Sequence, residues 1–182
     1  MKKLEEEGVV LGVTGSIAAF KAATIAGMLV KKDIAVQVVM TPNATRFVQP
    51  LTYEAITNRP VHVEQFTART SMEHIALARF AKVLVVAPAT ANFIGKYAWG
   101  VADDLLTTTA ISVTCPVIVA PAMNGDMWRH PAVQENVAKL KERGVEFVGP
   151  VEGRLACGDE DVGRLAPEDD IVKAVLKKLR EA

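Results

Sequence analysis

Four short polar clusters each follow an apolar run: Gly15-Ser16, Thr41-Pro42-Asn43, Thr90-Ala91-Asn92 and Met123-Asn124. Their hydroxyls and amides read a polyol or an anion by hydrogen bonding rather than by charge. Gly15-Ser16 separates an apolar run from an Ala-rich one. That arrangement aims backbone N–H groups and the positive end of a helix at an anion. A capped helix start, with Ser16 as N-cap, is the alternative. The spacing fits neither GxGxxG nor GxxxxGKS/T, so dinucleotide and P-loop readings are not supported. Asn124, between Met123 and Gly125, is either a turn former or an amide that reads a ligand. His74 is either a surface or capping residue or an acid/base that titrates near neutral pH. Cys157 is a thiol in a Gly-rich stretch. Thr107, Thr108 and Thr109 are poor helix formers, and three hydroxyls on one helix suit a polyol ligand. Asp103 and Asp104 are adjacent and do not face each other on a helix. They suit a helix N-terminus rather than an acid/base pair or a metal site.

These groups need elements to hold them. Residues 8–14, 34–40, 83–87, 117–120 and 145–148 are short apolar runs, the pattern of strands buried on both faces. Between them, residues 17–32, 50–58, 71–80, 93–99, 102–112 and 131–143 read as helices, and 168–180 closes the chain as an amphipathic helix. Ser71 is the expected N-cap of the third. Residues 149–167, rich in Gly, read as one long loop, of the kind that is functional or disordered. Alternating strands and helices imply a parallel sheet with helices on both faces. In such a sheet ligands bind outside the carboxyl ends of the strands. All four polar clusters fall there, which describes one pocket with a phosphate end and several hydroxyl- and amide-reading groups.

Composition narrows the classes. The 21 basic and 21 acidic residues cancel and are scattered, so there is no phosphate-backbone footprint and nucleic acid is not an expected partner. The two cysteines, Cys115 and Cys157, are too few for a disulfide framework, and no Cys/His cluster marks a metal site. Cys115, beside Pro116, reads as a small buried apolar residue. Trp99 and Trp128 read as core or subunit-contact residues. The opening MKKLEEEG lacks the apolar stretch of a signal peptide, and no run approaches a membrane span. The expectation is a cytoplasmic protein with no membrane partner.

The motifs Gly15-Ser16-Ile17-Ala18-Ala19-Phe20-Lys21, His74-Ile75, Pro88-Ala89-Thr90-Ala91-Asn92, Ala102-Asp103-Asp104-Leu105-Leu106, Pro121-Ala122-Met123-Asn124 with Met127-Trp128, and Ala156-Cys157-Gly158-Asp159 stand in order along nearly the whole chain. Together they resemble the flavin-dependent cysteine decarboxylase family. Within it they look most like the phosphopantothenoylcysteine decarboxylases of coenzyme A biosynthesis, which stand alone or form the N-terminal half of a bifunctional protein. The resemblance implies a flavodoxin-like (Rossmann-like) doubly wound parallel sheet, one domain over residues 1–182, and FMN bound between the subunits of a homotrimer or trimer-based dodecamer. It implies Gly15, Ser16 and Ile17 as the phosphate loop and Thr41 as a phosphate or ribityl contact. Thr90, Ala91, Asn92 and Phe93 would lie near the flavin and ribityl chain, with Thr107 and Ala122 as further cofactor neighbours.

The implied reaction is decarboxylation of 4′-phosphopantothenoylcysteine to 4′-phosphopantetheine. It runs through flavin-dependent oxidation to a thioaldehyde, loss of carbon dioxide and re-reduction, the cofactor carrying the electron chemistry. In this family match His74 is the acid/base, Asn124 holds the substrate carboxylate, and Cys157 is the final proton donor. Arg154, Ala156 and Leu165 are substrate contacts. A phosphopantothenoylcysteine synthetase domain or protein is an implied partner. Two positions depart from the pattern: the family usually has a Gly near Asp161 and a Met near Leu165, and acids in this hinge bear on the mobility of the substrate clamp. The rival functions are oxidative decarboxylation of a peptide C-terminal cysteine and a non-catalytic FMN-binding regulatory subunit. In the latter, His74 and Cys157 would be dispensable.

Overall fold

Strands buried on both faces, with successive side chains joining two separate cores, decide the architecture. The computed structural model describes residues 7–66, 72–156 and 158–181. In it β1 (Gly8–Val13), β2 (Val36–Met40), β3 (Ala81–Ala89), β4 (Val117–Pro121) and β5 (Glu146–Phe147) form one sheet, in the order β2-β1-β3-β4-β5. Each pairing is parallel. Successive side chains on a strand face opposite sides. Val9, Leu11, Val83, Val85 and Ile118 therefore join one core, and Val10, Leu84, Val86, Val117 and Val119 join a second. The first core is covered by α1 (Ala19–Val30), α2 (Pro50–Thr57) and α8 (Glu168–Glu181). The second is covered by α3 (Glu73–Phe80), α4 (Ala91–Trp99), α5 (Leu105–Ser112) and α7 (Pro131–Glu142). Tyr53 is fully buried, and its hydroxyl donates to the Ala19 carbonyl at 2.7 Å, which ties α2 to the first turn of α1.

After β1 the chain runs to one neighbour, β2, and then crosses to the other side of β1 to make β3. The reversal leaves a crevice beyond the carboxyl ends of β1 and β3, the place where open α/β sheets bind ligands.

Several local expectations need correction. Ser16 is not the N-cap of α1; that place falls to Ala18, which makes no side-chain cap. Ser16 Oγ instead accepts from the Ala18 N–H at 3.3 Å, in the turn before the helix. The fifth helix begins at Leu105 rather than at residue 102, because Asp104 is its extended N-cap. The three threonine hydroxyls have helix partners: Thr107 completes the capping box, and Thr108 and Thr109 donate to the Asp104 and Leu105 carbonyls at 2.7 Å. Residues 149–167 are not a featureless loop. They hold an antiparallel pair, β6 (Val151–Arg154) and β7 (Glu160–Arg164), whose strand pattern is broken by Gly153 and Gly163 at positive φ. A short helix, α6 (Gly125–Arg129), follows β4 directly and was not foreseen. Cys115 is half-buried rather than fully buried, and Trp99 is 70% exposed, donating to Asn136 with Lys139 over its ring. Ser71, the expected cap of α3, lies outside the described residues.

Candidate active site

A cavity of about 550 Å³ opens at the crevice between β1 and β3. It is in the range of small-molecule and cofactor sites. Its floor is set by Thr14, a residue the motifs did not single out. Thr14 is buried at the end of β1; its hydroxyl donates to the Pro88 carbonyl at 2.7 Å and accepts from the Thr90 N–H at 3.0 Å. One hydroxyl thus locks the ends of the two strands that diverge at the switch point. Beyond it, Gly15 meets the Asn43 turn. A Cβ on Gly15 would lie 2.6 Å from Asn43 Cβ, so only glycine lets these two loops close together. Thr41 shapes that turn, its Oγ1 accepting from the Ala44 N–H at 3.3 Å.

The far wall is the start of α4. Thr90 is its N-cap, with Oγ1 accepting from Phe93 N–H, and Ala91, Asn92 and Phe93 form the first turn. Lys96, one turn on, reaches both Asp103 at 2.8 Å and Asp104 at 3.8 Å. Its ammonium holds the Asp103 carboxyl below the usual carboxylate range. Met127 of α6 completes the lining.

Seven of the ten expected cofactor residues therefore line one cavity: Gly15, Thr41, Thr90, Ala91, Asn92, Phe93 and Thr107. Ser16 and Ile17 sit beside it in the turn leading to α1, whose N-cap offers no side chain to the helix end. Ala122 is buried under the sheet edge, its N–H on the Ala89 carbonyl. The structure fits an anionic, polyol-bearing cofactor. Three features fit it: a helix N-terminus without a side-chain cap, a cradle that a Cβ would fill, and a wall of hydroxyls and amides. Thr14 and Lys96 were missed by motif reading, whereas Asn43 and Met127 stand in the quoted motifs without having been given a cofactor role. A polar residue ending a buried strand was the available signal for Thr14.

The residues expected to act on substrate lie outside this cavity. Asn124 caps α6, its Oδ1 accepting from Asp126 N–H at 2.8 Å, which makes Nδ2 the donor end of the amide. Arg154 and Ala156 are exposed on the β6–β7 unit, whereas Leu165 is packed in the core at its root. Cys157 lies outside the described residues. His74 sits in the first turn of α3 and does not line the cavity. Among the described residues its Nδ1 is buried with no hydrogen-bond partner. Such an atom is costly and calls for an explanation.

This is a doubly wound sheet of order 2-1-3-4-5 with a ligand crevice at its switch point, the arrangement of mononucleotide-binding flavodoxin-like proteins. The chain belongs to the Flavoprotein family, whose model matches residues 1–180. It is 44% identical over 180 residues to the coenzyme A biosynthesis bifunctional protein CoaBC of Bacillus subtilis, covering 98% of this chain and 44% of that protein. The corresponding protein of Mycolicibacterium smegmatis is 43% identical over 95% of this chain and 42% of its own length. The chain thus spans less than half the length of these curated relatives. Among solved structures it is similar to a PPC decarboxylase mutant complexed with pantothenoylaminoethenethiol. There the identity is 31% and the TM-score 0.83, over 97% of this chain and all of that one. It is also similar to the FMN-dependent cysteine decarboxylase SpaF, at 35% identity and TM-score 0.82, over 94% of this chain and 97% of that one.

Proposed function

We propose that this chain is an FMN-dependent decarboxylase that converts 4′-phosphopantothenoylcysteine to 4′-phosphopantetheine in coenzyme A biosynthesis. One observation carries the reading: a crevice lined by hydroxyls and amides at the switch point lies beyond β3, and Asn124 follows the end of the neighbouring strand β4. The similarity to CoaBC and to the PPC decarboxylase supports it.

In the net reaction the bond from the substrate's Cα to its carboxylate breaks, and a proton takes its place. FMN, when bound, supplies a reversible two-electron oxidation of the cysteine unit, so that the electrons left by carbon dioxide have somewhere to go. The Gly15-Ser16 turn and the start of α1 would hold its phosphate. The Thr41, Thr90 and Asn92 side chains would hold its polyol. The donor end of the Asn124 amide holds the substrate carboxylate. A neutral donor suits this task, because a fixed cation would stabilise the departing carboxylate as much as the transition state. His74 Nδ1 takes up and returns a proton. Cys157 delivers the last proton, and Arg154 and Ala156 on the β6–β7 unit contact the substrate while that unit keeps water out.

His74 does not line this chain's own cavity, and several large apolar groups are exposed. Ile17 (55% exposed) and Phe20 stand at the start of α1, Leu51 on the neighbouring α2, and Met72 before α3. These favour a homo-oligomer, a trimer by the family pattern, in which a second copy completes the site. Sedimentation as a monomer with full activity would contradict this. The partner we propose is a phosphopantothenoylcysteine synthetase domain or protein, which would supply the substrate.

Asn124→Asp tests the central assignment. The variant should keep its visible flavin band, since the cavity is untouched and Asp also caps helices well. It should release no carbon dioxide, because two carboxylates repel. Turnover at the wild-type rate would return Asn124 to the role of a turn former.

A further inference from the structure

Three contacts tie β7 to the turn that carries Asn124. The first is a two-point ion pair: Arg129 Nη1 donates to Asp161 Oδ1 at 2.6 Å and Nη2 donates to Oδ2 at 2.8 Å. The same Nη2 reaches Asp126 Oδ1 at 2.9 Å, so the guanidinium is oriented from its own helix before it meets β7. Asp161 is fixed in turn, its Oδ1 accepting from Val162 N–H at 2.7 Å. The second contact is steric. A Cβ on Gly125 would overlap the Asp161 carboxylate, so β7 settles onto α6 only because residue 125 is glycine. The third is backbone: Met123 N–H donates to the Gly163 carbonyl at 2.9 Å. Gly163 has φ +139°, and a side chain there would run into the Met123 carbonyl.

The β6–β7 unit is anchored unequally. Leu165 and Ala166 are buried and root it in the core. Its far end is exposed from Arg154 through Glu160, apart from half-buried Leu155, among the described residues. Between root and tip, Arg129 and Asp161 form a side-chain ion pair that joins this unit to α6. The pair is partly exposed, at 52% and 29%. A solvated ion pair is too weak to lock a segment shut, yet the two-point geometry gives it a defined direction. That combination suits a segment that must open and close during turnover.

We propose that Arg129 and Asp161 form a latch that holds the β6–β7 unit over the Met123-Asn124-Gly125 turn. They are positioning residues for the decarboxylation, not catalytic ones. The inference rests on the proposed function for its kinetic consequence and on geometry alone for its mechanical one.

The test uses the FMN-loaded full chain as wild type, Asp161→Asn, Arg129→Gln and the double variant. Amide hydrogen exchange is followed over residues 151–165. Each single variant should exchange severalfold faster there than wild type. The double variant should be no faster than either single one, because one interaction is being removed. Wild type should approach the variants as sodium chloride is raised. With phosphopantothenoylcysteine, KM should rise severalfold while kcat is unchanged, a split that a general loss of stability would not give. Exchange and KM that are unchanged in both single variants would overturn the latch. If wild type shows no decarboxylation yet the exchange differences hold, the functional reading fails and the latch stands. If turnover is normal and exchange is flat, the latch alone fails.

Discussion

His62 shows how one side chain outside the motifs can set a condition for the fold. Its Nδ1 lies 2.8 Å from Glu73 Oε1 and its Nε2 3.1 Å from Gln37 Oε1, so it bridges the start of α3 to β2. Burial lowers its pKa from the ordinary 6.5, outweighing the upward pull of Glu73. The unfolded chain therefore takes up this proton first as pH falls. Stability from His62 should be intact above pH 6.5 and decline as pH drops below it. Urea midpoints measured at pH 7.5 and 5.5 should show a decline that is smaller in His62→Gln; an equal decline in both proteins would contradict the assignment. At this scale the sequence was partly legible. Gly15, Thr41, Thr90 and Asn92 were found because each follows a buried strand. Thr14 and His62 were not, since their importance lies in partners 74 and 25 residues away. No local pattern encodes such pairings.

Among elements, helices were legible from apolar spacing but their starts were not. A helix begins where a side chain can satisfy its first N–H groups, and several residues often qualify. In the run from 102, Asp103 was drawn off by Lys96, leaving Asp104 to cap. Asp104 accepts from Thr107 N–H at 2.8 Å, and Thr107 Oγ1 closes the box by accepting from Asp104 N–H at 3.2 Å. Asp104→Ala should lower unfolding free energy by about 1 kcal/mol, the usual effect of losing an N-cap. Urea unfolding measures it, and no change would mean that Thr107 alone holds the helix start. The three threonine hydroxyls then need no ligand to explain them, although Thr107 still lines the cavity. The β6–β7 unit escaped detection for a different reason. Its strands are 4 and 5 residues long, each holds a glycine, and β6 only half-buries its alternate residues while β7 shows no alternation. Strands this short, with at most a half-buried face, leave too little period to read.

At the scale of the whole molecule, the alternation of strands and helices made the doubly wound sheet legible, and the polar strand ends placed the crevice. The assembly of the substrate site was not legible in the same way. Asn124 is held by the cap of α6, His74 stands apart with its Nδ1 unsatisfied, and the β6–β7 unit approaches from the far end of the chain. These parts converge through tertiary packing and, in our proposal, through a second copy of the chain. The most direct test is to load the purified chain with FMN, supply 4′-phosphopantothenoylcysteine without nicotinamide or any other oxidant, and measure carbon dioxide together with the thiol product. One carbon dioxide for each 4′-phosphopantetheine, over many turnovers, is the expected result. A flavin-loaded protein that binds this substrate and releases no carbon dioxide would contradict the account.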